Sequence, residues 1–411
     1  MYLKVAVILL ALSLPSIVLG RAVVGVSLCI ALILTMLFGN YRQMLRDIII
    51  TLNNPVSYIM FCVVLLWGAS LFSSTDLVQS LTTQIRTILY VVLIIPFWVL
   101  ISNNEDLLDL CLKTLAISSI ILGIIAICSL HLPSGFIGFL RGNPETPLLP
   151  VRILKESAST ASLIIPLLLW SAYRETGYWR YTCLISLMVM LILIFDIESR
   201  SAVAGIIGSS ITAIILYNLY KRNNIVSISS IITILFVGLI TIYWLHDTRS
   251  WYADAYGDGV WAIPGWLIDP PRQAIWEFAW KAGEANRWFG VGINVIDKLP
   301  EADAWNSDTG TRNIPLHPHN WMVEIAIETG VVGLIGFLLL LLTIAIKYTV
   351  RYLRSGSVPL LALGGVWGAY WFSGLFSFSY WSSWWQIHFL VAMVICLSGD
   401  ALHQRLIADK N

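Results

Sequence analysis

About twelve runs of mostly apolar residues recur along this chain of 411 residues, each near the ~20 residues a helix needs to cross a hydrocarbon core. They fall at about 4–20, 22–39, 55–72, 85–101, 107–131, 158–174, 179–197, 201–220, 225–246, 321–349, 357–375 and 384–400. Backbone groups in hydrocarbon must satisfy one another, so such runs fold as helices gathered into a bundle. Charge agrees, since 58% of residues are hydrophobic and only 12% charged, where soluble domains run about 25% charged. The expected fold is an all-α integral membrane protein, a single polytopic domain over 1–411 with about twelve transmembrane helices. A formal net charge of +1 excludes a nucleic-acid binder driven by a basic field.

Six cysteines (Cys29, Cys62, Cys111, Cys128, Cys183, Cys396) all lie in apolar runs without C-x-x-C spacing. They read as buried free thiols, with no disulfide or zinc site. The first apolar stretch, from Lys4 to Gly20, has the look of a signal peptide. A second run follows it at once, so it reads as an uncleaved first span.

Lysine and arginine bias sets orientation. With the N-terminus cytoplasmic, the even-numbered loops hold Arg42, Arg46, Arg174, Arg180, Lys221, Arg222, Lys347, Arg351 and Arg354. The fourth loop, with Glu105 and Asp106, dissents. The short odd-numbered loops carry mainly single arginines, Arg21, Arg86 and Arg200. The long segment 247–320, between spans 9 and 10, then faces outward as a large, partly helical periplasmic loop. It carries six basic and ten acidic residues, and acidic loops of this length are translocated readily. Nine of the eighteen tryptophans lie between Trp244 and Trp321. Ala274–Trp288 places Ile275, Phe278, Ala279 and Ala282 on one helical stripe, and Asp269-Pro270-Pro271 is a start signal for that helix. Loops above ~12–15 residues with such content are usually lids or binding elements.

Three charged groups gather on the outer side. Arg200 opens the eighth span, Arg272 lies at the start of the loop helix, and His319 precedes the tenth span. A guanidinium offers a fixed fork of donors that fits phosphate oxygens in pairs. A plainer account pairs a snorkelling Arg200 with Asp196 or Glu198, and Arg272 with an acidic residue of the loop. His319 is the natural proton acceptor, because neutral imidazole takes a proton near pH 7. Asn320 would orient its ring or bind a sugar hydroxyl. Glu324 and Glu328 read as early-turn carboxylates placed generically, with Glu324 also in reach of His319. The His317-Pro318-His319 pair lacks a convincing third ligand, so no metal is expected. Arg86, Arg141, Arg152 and Lys155 add positive charge on the same side, suited to further phosphates. The loop tryptophans, Trp276 among them, suit either an interfacial aromatic belt or stacking on sugar rings. A titratable group held at the boundary of a span is costly unless it does chemistry. These features point to a membrane enzyme acting on an amphiphilic, sugar-bearing substrate.

The motifs resemble a known family. His319-Asn320, nine residues, then Gly330-Val331-Val332-Gly333 resembles the H-[N/S/Q]-x9-G-x-x-G signature of bacterial O-antigen ligases. Ser199-Arg200-Ser201 resembles the S-R-[G/S/A] element opening the shared ligase/polymerase domain, and Arg272, Trp276 and Gly290-Val291-Gly292 its R-x3-W…G-x-G stretch. The similar region covers roughly 185–345. After Gly333, Leu334-Ile335 stands where the fuller signature often has Thr-Val.

The resemblance implies an inverting, metal-independent glycosyl transfer needing no cofactor. The donor would be a glycan on undecaprenyl diphosphate at the periplasmic face of the bacterial inner membrane. The acceptor would be a sugar hydroxyl of lipid A–core oligosaccharide. By the same resemblance Arg200 and Arg272 would bind the diphosphate, and His319 would be the general base. Two relatives of the same chemistry, an O-antigen polymerase and a protein O-oligosaccharyltransferase, differ in acceptor. Another class, a lipid or glycan transporter, should carry mid-bilayer charges and inverted repeats, and neither is visible here.

Overall fold

The computed structural model describes residues 1–143, 148–221, 243, 263, 268–306 and 309–409. Helices follow the apolar runs, with three more between them: α1 (Tyr2–Ser13, continued by a 3-10 turn Pro15–Leu19), α2 (Arg21–Phe38), α3 (Tyr41–Leu52), α4 (Pro55–Gly68, continued to Ser73), α5 (Leu77–Ser102), α6 (Glu105–His131), α7 (Ser134–Leu140), α8 (Pro150–Arg174), α9 (Gly177–Asp196), α10 (Arg200–Lys221), α11 (Pro270–Gly283), α12 (Trp321–Ser355), α13 (Val358–Gly374) and α14 (Ser383–Ala408). Those lying between the runs are α3, α7 and α11. Among the described residues, nine helical segments are long and apolar enough to cross a membrane. The shorter α1 and α13 fall at the first and eleventh expected spans. The expected ninth span, 225–246, lies outside the described residues except for Tyr243.

Caps explain where several helices begin. The side chains of Asn54, Asp76, Asn104 and Asn320 accept backbone N–H bonds at the starts of α4, α5, α6 and α12, satisfying donors that would otherwise be orphaned. Proline at the first turn starts α4, α8, α11 and α13, where its missing N–H costs nothing. Small residues let α10 and α13 approach closely: a Cβ on Gly208 would strike the Gly368 carbonyl, and one on Gly368 the Gly208 carbonyl. Such contacts hold helices together where water does not drive association.

One end of the bundle is fastened by Arg351–Asp400 at 2.6 Å, Arg405 to the Ser102 carbonyl at 2.9 Å and Arg174–Glu105 at 3.1 Å. At the other end, the loop and the starts of α5, α10 and the second part of α12 come together. There α11 buries Ile275 and Ala279 against Val291, Ile296, Leu299, Ile314, Val323 and Ile327, with Phe278 and Ala282 beside them. The expected stripe is the buried face and the helix starts at the expected Asp269-Pro270-Pro271 signal, but it ends at Gly283 rather than Trp288. A small antiparallel hairpin pairs Trp305 with Arg312 and Asn306 with Thr311.

The expected tenth span begins as anticipated at Trp321 but is not one rod. At Gly330 φ is +73° and ψ 174°, a region that essentially only glycine occupies. The rings of Trp321 and Phe337 lie 6.1 Å apart, whereas a straight helix would separate their backbones by about 24 Å. Residues 321–329 and 331–355 therefore meet at a sharp bend. Loop segment 287–292 closes the gap between them. Val291 and Gly292 N–H donate to the Ile327 and Glu328 carbonyls at 3.1 Å each, while Val331 and Val332 N–H donate to the Arg287 and Trp288 carbonyls at 2.9 and 3.2 Å. Both broken helix ends are thus satisfied, which the interior of a membrane protein requires. The same segment is tied outward, by Ser73 to the Gly290 carbonyl at 2.5 Å, Ser80 to the Ile293 carbonyl at 2.9 Å and Lys298 to Asp76 at 2.6 Å.

Candidate active site

Arg200 stands on a rigid footing. Its neighbours Ser199 and Ser201 are buried, and their hydroxyls bond each other at 3.1 Å. Ser201 also meets Ser159 of α8 at 3.0 Å. Lys155 lies four residues before Ser159, one turn outward on the same face of α8. The S-R-S element thus roots Arg200 against the helix that carries Lys155 and Arg152.

Arg200 Nη1 donates to Asp269 Oδ2 at 2.6 Å. The same oxygen lies 4.0 Å from Arg272 Nε. Two guanidiniums from segments far apart in sequence therefore converge on one carboxylate. Asp196 pairs with His131 at 3.3 Å, and the carboxylate that Arg200 bonds is Asp269 of the loop in place of Asp196, one of the two partners of the plainer account. The sequence offered Asp269 only as a helix start. A sharper signal lies in its two following prolines, which lack the first amides an Asp at that position normally caps.

His319 is held by the element that carries Arg272. Trp276, one turn after Arg272 on α11, donates its indole N–H to the Pro318 carbonyl at 2.8 Å. The His319 N–H donates to His317 Nδ1 at 3.2 Å, and the two rings meet edge to face with centroids 4.3 Å apart. His319 has φ +55°, a left-handed conformation uncommon outside glycine. Asn320 accepts from the Met322 and Val323 N–H groups at 2.9 and 3.3 Å; its oxygen is spent on the α12 cap rather than on the His319 ring.

Charge gathers here. Burial, together with His317, Arg272 and Lys155, pushes His319 down from the usual imidazole value to about 2. Burial and Arg272 bring His317 down to about 4. Desolvation and positive neighbours both disfavour the imidazolium, so both rings are neutral near pH 7. Arg152, Arg200 and Arg272 act on Lys155 electrostatically, which makes one positive cluster drawn from α8, α10 and α11, beside the neutral histidines of the turn before α12.

Arg86 and Arg141 stand apart from that cluster. Arg86 donates to the Trp381 carbonyl at 2.6 Å. Arg141 donates to the Val18 and Ile17 carbonyls at 3.1 and 2.9 Å; burial lowers its pKa. Glu324 accepts from the Tyr380 N–H at 2.7 Å and does not bond His319. Glu328 is fully buried and accepts from the Asn294, Val295 and Ile296 N–H groups at 2.8, 3.0 and 3.0 Å and from the Trp381 indole. It fastens the loop to α12. Of the other loop tryptophans, Trp280, Trp288 and Trp305 are exposed, while Trp251, Trp261 and Trp266 lie outside the described residues.

None of the curated proteins matches this chain. A family profile described as O-Antigen ligase matches residues 185–338, a stretch that takes in Arg200, the G-x-G segment, His319 and Gly330, where α12 breaks. Over residues 185–338 the chain is thus similar to the O-antigen ligase family.

Proposed function

We propose that this protein transfers a glycan from undecaprenyl diphosphate to a sugar hydroxyl of lipid A–core oligosaccharide, at the periplasmic face of a bacterial inner membrane. The observation that carries the reading is the meeting of Arg200 and Arg272 on one oxygen, beside a neutral histidine mounted on the same loop helix through Trp276.

In this reading the diphosphate lies across the two guanidiniums, whose forks match its oxygens in pairs. Lys155 and Arg152 add charge around it, and His317 shapes the turn. His319 takes the proton of the acceptor hydroxyl as its oxygen bonds to the anomeric carbon. The bond from that carbon to the diphosphate oxygen breaks on the opposite face, and its electron pair leaves with the diphosphate. Configuration inverts, undecaprenyl diphosphate departs, and the imidazolium returns its proton to solvent. Preorganised positive charge at the departing oxygens is worth several kcal/mol, and a positioned base typically ~10²–10⁴-fold. The leaving group already stores the driving energy, so no nucleotide enters.

The test is transfer by purified protein in lipid vesicles without ATP. Lipid-linked glycan is supplied with lipid A–core, with a second lipid-linked glycan, or with a serine/threonine peptide. A conjugate on lipid A–core is expected. Products only on the second or third acceptor would make the protein a polymerase or a protein glycosyltransferase. Passage of donor across the bilayer without a new bond would make it a transporter.

A further inference from the structure

We propose that Asp269 is a resident anion of the site: it holds Arg200 and Arg272 together while no donor is bound and is exchanged for a diphosphate oxygen when the donor arrives. The inference rests on the diphosphate reading of these two arginines and adds a third group to it.

Geometry supports exchange rather than simple support. Both guanidiniums address the same carboxylate oxygen, Oδ2, one through Nη1 at 2.6 Å and the other through Nε at 4.0 Å. A terminal diphosphate oxygen seated between the two forks would need that same point. Asp269 occupies the N-cap position of α11, yet its side chain makes no cap bond. Pro270 and Pro271 supply no amide, and the Arg272 N–H is taken by Asp269's own carbonyl at 2.9 Å. The helix start that normally consumes an aspartate therefore leaves this one for the guanidiniums, at the positive end of the α11 dipole. Arg200 and Arg272, together with nearby Lys155 and Arg152, repel one another, and the Asp269 carboxylate offsets part of that repulsion. The same carboxylate competes for the arginines after transfer, when the diphosphate product must leave.

The test uses the full chain in lipid nanodiscs, titrated with inorganic pyrophosphate and assayed with donor lipid. Asp269→Asn keeps the size and removes the charge. Pyrophosphate affinity is expected to rise about tenfold or more, donor KM to fall, and kcat to fall as product release slows. Asp269→Glu, which restores the anion, should return affinity toward wild type. If Asp269→Asn does not fold, Asp269→Ser removes the same charge with a good N-cap residue and carries the same expectation. Weaker or unchanged pyrophosphate binding in the neutral variants, with wild type binding normally, overturns the exchange and leaves the diphosphate site standing. Failure of both wild-type and neutral variants to bind pyrophosphate overturns both. Binding that emerges only when the charge is removed supports the exchange.

Discussion

Gly290 and Gly330 lock together at the break in α12. A Cβ on Gly290 would strike the Glu328 carbonyl and the Gly330 nitrogen, and one on Gly330 the Trp288 carbonyl and the Phe289 nitrogen. The G-x-G and G-x-x-G motifs are thus the two halves of one clasp. Through it the loop that carries Arg272 is fixed to the helix that His319 precedes.

Gly330→Ala tests the clasp. Every atom the new methyl would meet is backbone, which cannot rotate away, and strain of this kind costs about 1–3 kcal/mol. A lower thermal unfolding temperature and loss of transfer are expected together. Gly25→Ala is the control, since nothing lies within 4 Å of its Cβ position and alanine favours a helix interior; it should unfold no earlier than wild type.

Trp276→Phe removes one hydrogen bond, to the Pro318 carbonyl, and leaves most of the packing. A bond of this kind is worth about 1 kcal/mol, so looser placement of His319 should lower kcat about five- to tenfold. Donor KM should hold, because Arg272 sits one turn earlier on α11. A rise in KM with kcat intact would detach Trp276 from the histidine.

Much of this arrangement was legible beforehand. Hydropathy placed the long apolar helices among the described residues, and the S-R-S, R-x3-W and H-N-x9-G-x-x-G elements marked the residues that now lie together. The break was hidden, because Gly-Val-Val-Gly inside an apolar run has the hydropathy of an unbroken span. The identity of its partner, 287–292, is a long-range fact with no local trace beyond its own glycines. Glu324 and Glu328 sit at helical spacing that reads the same whether they line a site or bind backbone amides. For Arg86 and Arg141 the charge pattern assigns a side of the membrane, and only packing shows that each also donates to a backbone carbonyl of a neighbouring segment.

Glu328→Gln should destabilise more than Glu324→Gln. The Glu328 carboxylate accepts from three backbone amides and one indole, whereas a carboxamide turns an NH2 toward some of them. Each buried donor left without an acceptor costs about 1–3 kcal/mol. Glu324 meets one backbone amide, of Tyr380, and the Ser379 side chain. Thermal unfolding in detergent gives the ranking, and the reverse order would remove Glu328 as the fastening of the loop.

Arg200→Lys keeps the charge but loses the fork. An ammonium cannot span two oxygens in the plane that a guanidinium does, so donor KM should rise at least tenfold and kcat fall with it. Unfolding temperature should change little, since Arg200 is partly exposed. Unchanged kinetics would take Arg200 out of the diphosphate site.

The pH dependence of transfer tests the histidine. A general base must be neutral, and His319, held near 2 by burial and by His317, Arg272 and Lys155, stays neutral far below the ordinary imidazole value of about 6.5. Falling pH therefore does not protonate it in the free enzyme where an exposed histidine would titrate, and kcat/KM, which reports the free enzyme, should show no acid limb from His319 near 6.5. Bound donor brings negative charge beside Arg272 and Lys155, which favours the imidazolium and raises its pKa. The acid limb of kcat, which reports the complex, should lie at higher pH than that of kcat/KM. Lys155→Gln removes one of the repelling charges and should move the kcat/KM limb upward. Profiles at limiting and saturating donor would show this, and a kcat/KM limb near 6.5 that Lys155→Gln leaves in place would remove His319 as the base.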